Sequence, residues 1–94
     1  MPLETKPFDA ARYIETPEDA AALIADAVES GDAGHIAHAL GIIARARGMA
    51  EIATETGINR TALYASLSKR GNPSLDTLLK IASALKLKVA LIPG

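Results

Sequence analysis

The chain has no cysteine and no tryptophan among its 94 residues. Without thiols, neither a disulfide framework nor a thiolate metal site can form. Aromatic residues are scarce as well, limited to Phe8, Tyr13 and Tyr64. The 49% hydrophobic fraction, rich in Ala, Leu and Ile, therefore favours close-packed helices over a β-sandwich. No apolar run approaches the roughly 20 residues of a membrane span. The opening Met1-Pro-Leu-Glu-Thr-Lys6 lacks the apolar core of a secretory signal. These absences lead us to expect a cytoplasmic protein with no membrane partner. The length suits one domain with a modest core.

A strong excess of either charge is also missing, since the net charge is −1. The distribution is uneven, however. Residues 1–34 carry eight acidic side chains against Lys6 and Arg12. Residues 35–94 carry eight basic side chains against Glu51, Glu55 and Asp76. An acidic segment thus precedes a basic one, and phosphate binding needs the latter. The acidic segment is either a solvated face or a surface for a basic partner.

Local signals divide the chain into helices. Residues 1–15 read as an extension, with Asp9 capping a short turn of helix over Ala10 to Ile14 and with Phe8 and Tyr13 packing on the body. Thr16-Pro17-Glu18-Asp19 is a helix start, with a cap, a proline at the first position and acids in the first turn. Ala20, Leu23, Ile24, Ala27 and Val28 form its apolar stripe, which stops near Gly31. Asp32 caps a second long helix with Ile36, Leu40 and Ile43 as its stripe. It ends in Arg45-Ala-Arg47-Gly48, where cations complement the helix dipole. Ser74 opens a late helix whose Leu75, Leu78, Ala82 and Leu85 are expected to face the core. The period then changes. Leu87, Val89 and Leu91 alternate with Lys86, Lys88 and Ala90, so residues 86–92 read as a strand. A lone strand has no edge to pair with in a helical domain, so it must find one on a second subunit or another partner.

Between these parts lies Met49–Ser68, which reads as two short amphipathic helices broken at Gly57, the spacing of a helix-turn-helix. Ile52 and Ala53 face inward on the first helix. Gly57 stops it in the left-handed conformation, Ile58 fills the corner, and Asn59 caps the next helix. On that helix Ala62, Leu63, Ser66 and Leu67 share one arc, while Arg60, Thr61, Tyr64, Ala65 and Ser68 share the opposite one. The outward arc offers a guanidinium, hydroxyls and one ring, which suits a DNA groove.

Arg60 is the leading candidate, placed to donate a bidentate pair to guanine. Thr61 and Tyr64 follow along the same face, each able to reach a base or a phosphate. Asn59, Ser68, Lys69 and Arg70, with Arg45 and Arg47 from the preceding helix, complete the candidate DNA-binding set. The last four are phosphate contacts rather than base readers in this reading. Each also has a plain alternative: a solvated charge, or for Tyr64 a ring half-buried between helices. His35 and His38 lie three apart on one helix but have no third ligand, so no metal site is expected. No nucleophile sits in a recognisable catalytic setting and no Gly-rich phosphate loop occurs, so neither an enzyme nor a cofactor is expected.

The run from Asp32 to Pro93 resembles the lambda-repressor-like (Xre/Cro-type) DNA-binding domains. The whole chain resembles the addiction-module antidote proteins, the HigA-like antitoxins. The stretches that carry this are Lys6-Pro-Phe-Asp-Ala-Ala-Arg-Tyr-Ile14, Ala44-Arg-Ala-Arg-Gly-Met49, Glu55-Thr-Gly-Ile-Asn-Arg-Thr-Ala-Leu-Tyr64, Gly71-Asn-Pro-Ser74 and Leu85-Lys-Leu-Lys-Val89. The resemblance implies an all-α, five-helix DNA-binding domain over residues 16–94, a homodimer, repression of the protein's own operon and neutralisation of a RelE/HigB-like toxin. Such domains commonly hold a Gln at the start of the motif's first helix, where it touches the phosphate backbone. Met49 stands there instead. Two other readings stay open: a free-standing Xre-type regulator, and an interaction module that blocks a toxin through its acidic segment with little DNA binding.

Overall fold

The computed structural model describes residues 14–94. The short helix expected from Ala10 and the packing of Phe8 and Tyr13 lie outside them. Among the described residues there are five helices and no strand: α1 (Pro17–Ser30), α2 (Ala33–Arg47), α3 (Met49–Thr56), α4 (Arg60–Ser66) and α5 (Leu75–Ala84).

Four of the five helices begin at a capping side chain. At α1 the Thr16 hydroxyl accepts from the Asp19 amide at 3.1 Å, while the Asp19 carboxylate accepts from the Thr16 amide at 3.1 Å. This reciprocal capping box satisfies donors that the first turn leaves unpaired. The carboxylate also accepts from the Glu15 amide at 3.0 Å, and these bonds hold its pKa below the ordinary value. Asp32 caps α2 through the Gly34 amide, and Ser74 caps α5 through the Thr77 amide. Gly31 and Gly57 close α1 and α3 in the left-handed conformation, at φ 69° and 74°.

The core is assembled from all five helices. Ile52 of α3, Leu63 of α4 and Ile81 of α5 are the largest fully buried side chains. Leu40, Ile43 and Ala44 of α2, with Ala20, Met49, Leu67 and Leu85, pack around them. Removing any of the three central aliphatics leaves a cavity, which costs about 2–5 kcal/mol for a truncation to alanine. α2 packs against α1 on one side and α3 on another, and α3 in turn meets α4 and α5.

Several inward assignments need correction. Val28 is 57% exposed and Leu75 66% exposed. Both lie at the margin of their helix's buried arc, in the last turn of α1 and at the first position of α5. The centre of the α5 arc is Ile81, which the expected stripe omitted. Ala62 is exposed, and Ser66 is only half-buried. α4 spans two turns and reaches the core through Leu63, with Leu67 just beyond its end.

The expected strand over residues 86–92 is not observed. α5 ends in a Schellman turn, in which the Lys86 amide donates to Ser83 and the Leu87 amide to Ala82, at 3.1 and 2.8 Å. Lys86 itself has φ 62°, the left-handed region, so no extended run can begin there. Beyond it, no edge among the described residues offers a partner for a strand.

Candidate nucleic-acid interface

α3 and α4 meet through a three-residue turn, Gly57–Asn59. The Gly57 amide donates to Ala53 at 2.9 Å, and the Thr56 hydroxyl donates to Ile52 at 2.8 Å while accepting from the Ile58 amide at 3.3 Å. Ile58 packs half-buried against the core and fixes the corner. The Asn59 Oδ1 atom accepts from the Ala62 amide at 2.8 Å and caps α4. The capping part of the Asn59 assignment is therefore observed directly.

Leu63 and Leu67 hold α4 to the body, which leaves the opposite face in solvent. Arg60, Thr61 and Ala65 are exposed, and Tyr64 is 47% exposed rather than wedged between helices. Ser68 lies just past α4, with its hydroxyl donating to Ala65 at 3.0 Å. Among the described residues no carboxylate forms an ion pair with Arg60, Lys69 or Arg70; the ion pair present is Asp76–Lys80, at 3.1 Å on α5. Glu55, the neighbouring acid, leaves the Arg60 guanidinium available to an anion.

Lys69 and Arg70 occupy the turn that follows Ser68, and both are exposed. This turn is clamped to α2. A Cβ on Gly41 would come within 2.5 Å of the Leu67 carbonyl oxygen, and one on Gly34 would collide with the Lys69 carbonyl. Two glycines seven positions apart thus let the backbone that ends α4 lie directly on α2. Their spacing, two full turns on one face, was the available signal for this contact.

The basic residues of α2 are split. His38 lines one shallow surface with His35 and Lys69, and the charge of Arg45 also reaches it. Burial lowers the His38 pKa first, and the positive charges of Lys69, Arg45 and His35 lower it further. Arg47 faces elsewhere, beside Ile14, Pro17, Ile43 and Leu87. Two residues apart on a helix means about 200° around its axis, so the pair cannot share a surface. Lys69 and Arg45 both act on His38, then, while Arg47 stands on another side of the helix. His38, considered from sequence only as a metal ligand, is a neighbour of these cations instead.

Met49 is 6% exposed and belongs to the core cluster. Its side chain is spent on the interior, away from the solvent-facing surface of the motif. The backbone contact that a Gln makes at this position in the resembled domains has no counterpart in this side chain. Among the described residues, no three His, Asp or Glu side chains are grouped to hold a metal ion, and no helix is long and apolar enough to cross a membrane.

Comparison with known proteins places this arrangement. A family model described as "probable addiction module antidote protein" matches residues 4–93. An uncharacterized protein of Haemophilus influenzae (strain ATCC 51907 / DSM 11121 / KW20 / Rd) is 38% identical over 88 residues, covering 94% of this chain and 91% of the relative. No solved structure matches the chain at comparable stringency. With nearly the whole length matched, the chain belongs to the family of probable addiction module antidote proteins.

Proposed function

We propose that this antidote-family chain is a cytoplasmic antitoxin with two tasks: repressing its own operon by binding operator DNA, and neutralising a RelE/HigB-like toxin. The DNA-binding task rests on one observation above all. The capped helix α4 is held by two core leucines and turns Arg60, Thr61 and Tyr64 outward, with unpaired Lys69 and Arg70 at its far end. In this reading α3–α4 is a helix-turn-helix whose second helix enters the major groove. Arg60 reads a base edge, and Lys69, Arg70 and Arg45 meet phosphates. A homodimer would present two such helices to successive grooves about 34 Å apart, on a palindromic site. Neither task requires a catalytic group or a cofactor.

The test is a salt-titrated binding assay on the promoter DNA upstream of the gene. Arg60→Ala is expected to bind about 1–3 kcal/mol more weakly. Lys69→Ala is expected to flatten the dependence of log affinity on log salt by about one unit. Equal binding by Arg60→Ala and wild type at every salt concentration would remove α4 as the reading helix.

A specific observation favours the second task independently. α1 carries Glu18, Asp19, Asp26 and Glu29 and no basic residue. That surface suits a basic toxin. Full-length chain with Glu18→Gln, Asp26→Asn and Glu29→Gln, co-expressed with the small basic protein encoded beside it, should capture less toxin than wild type. Asp19 is spared because it caps the helix. Undiminished capture would assign toxin binding to another face.

A further inference from the structure

Of the seven exposed large apolar side chains among the described residues, five belong to α5 and the segment after it. Leu75 and Leu79 stand on the outer face of α5, and Val89, Leu91 and Ile92 follow in the segment after it, with Leu91 96% exposed. Leu79, Ala82 and Ser83 form one wall of a groove whose other wall is Leu87, Lys88 and Val89. Among the described residues, the peptide groups of residues 88–94 form no backbone hydrogen bond with the rest of the chain. An alternating apolar segment with free backbone donors and acceptors, lying along an apolar groove, is an unsatisfied strand.

We propose that this segment pairs with the same segment of a second copy, as antiparallel strands over residues 87–91 centred on Val89. This rests on the homodimer reading and specifies its interface. The left-handed Lys86 sets the start of the strand, and Pro93, which has no amide hydrogen to donate, lies beyond its end.

Within those limits the charges choose the pairing. A parallel arrangement in register would set Lys88 opposite Lys88, an unfavourable cross-strand pair. Antiparallel pairing centred on Lys88 does the same. Centred on Ala90, it brings Pro93 opposite Leu87 and loses a ladder bond. Centred on Val89, it sets Leu87 opposite the partner subunit's Leu91, and Lys88 opposite the partner subunit's Ala90. The apolar side chains of Leu87, Val89 and Leu91 then lie beside the same three of the partner on one face of a two-stranded ribbon, and the partner's Leu91 covers the groove beside Leu79 and Ala82. Such an isologous contact has two-fold symmetry, which a palindromic operator also requires.

The absence of cysteine makes the register measurable with single introduced thiols. Light scattering on wild-type protein should give twice the 9.8 kDa chain mass, and Val89→Pro should halve it while the helical circular dichroism is kept. Under mild oxidation, Val89→Cys should form a covalent dimer, because residues directly opposite on antiparallel strands lie within disulfide reach. Asp26→Cys on α1 should not. Leu87→Cys and Leu91→Cys should cross-link together but not singly. A wild-type dimer that survives Val89→Pro, with no preferential cross-linking at residue 89, overturns this interface and leaves the homodimer reading standing. A dimeric Val89→Pro that no longer co-purifies with the toxin assigns the segment to the toxin and also overturns the proposal. A wild-type protein that is monomeric at the concentrations of the binding assay overturns both the interface and the homodimer.

Discussion

Gly41 of α2 lies against the carbonyl oxygen of Leu67, at the end of α4, so closely that a Cβ on the glycine would come within 2.5 Å of that oxygen. A backbone atom cannot swing aside as a long side chain can. Gly41→Ala must therefore move α4 relative to α2. Overpacking costs about 1–3 kcal/mol, and the better helix propensity of alanine returns roughly 1. Urea unfolding should show a net loss of up to about 2 kcal/mol. Because the displaced strand of backbone ends α4, operator binding should weaken as well, beyond what the unfolded fraction explains.

Asn59 separates stability from recognition. Its Oδ1 accepts from the Ala62 amide at 2.8 Å, so Asn59→Ala should destabilise the fold by about 1 kcal/mol in chemical denaturation. Asn59→Asp keeps the acceptor and should retain most of the stability. It also places a negative charge at the start of the proposed reading helix. Operator affinity should then fall more for the aspartate than its stability predicts.

Lys86 occupies the left-handed position that closes α5, at φ 62°, where glycine is the usual resident. Its Cβ makes that conformation cost about 1–2 kcal/mol. Lys86→Gly should raise stability by about 0.5–1 kcal/mol, the remainder being lost to the greater freedom of glycine in the unfolded chain. Lys86→Val should lower it, since a branched Cβ suits this region least. Thermal unfolding of the three proteins checks the order.

His38 is harder to protonate in the folded protein than in the unfolded chain, through partial burial and the nearby charges of Lys69, Arg45 and His35. A depressed value means that the unfolded state binds the proton more readily. The contribution to stability is thus present above the ordinary histidine value of about 6.5 and is lost as pH falls through the folded value. Wild-type stability should decline as the buffer is lowered from about pH 7 toward pH 5. His38→Gln should flatten that decline, as read by urea midpoints at each pH.

Five helices, their order and most of their caps could be read from the residues, because capping is local. Thr16, Asp32, Asn59 and Ser74 each accept from an amide two or three positions along. Gly31 and Gly57 stop their helices for an equally local reason, a backbone angle that other residues resist. The inward position of Ile52 and Leu63, and the outward position of Arg60, Thr61 and Tyr64, followed from helical period alone.

Other features depend on atoms far apart in the chain, and period cannot supply them. Met49 is buried because it joins a core cluster built from all five helices, whatever the resembled domains hold at that position. Lys69 lies beside His35 and His38 because the turn after α4 is laid on one side of α2 by the contacts at Gly34 and Gly41. The segment after α5 shows the same division. Its alternation marks a strand, but a strand needs an edge as well as a pattern, and the folded chain provides none. By itself the sequence determined where most of the helices begin and stop, through hydrogen bonds within a single turn, and which way α4 faces, through its period. Only the tertiary structure decided which side of α2 Lys69 lies on and that Met49 belongs to the core, because those depend on how closely two backbones can approach.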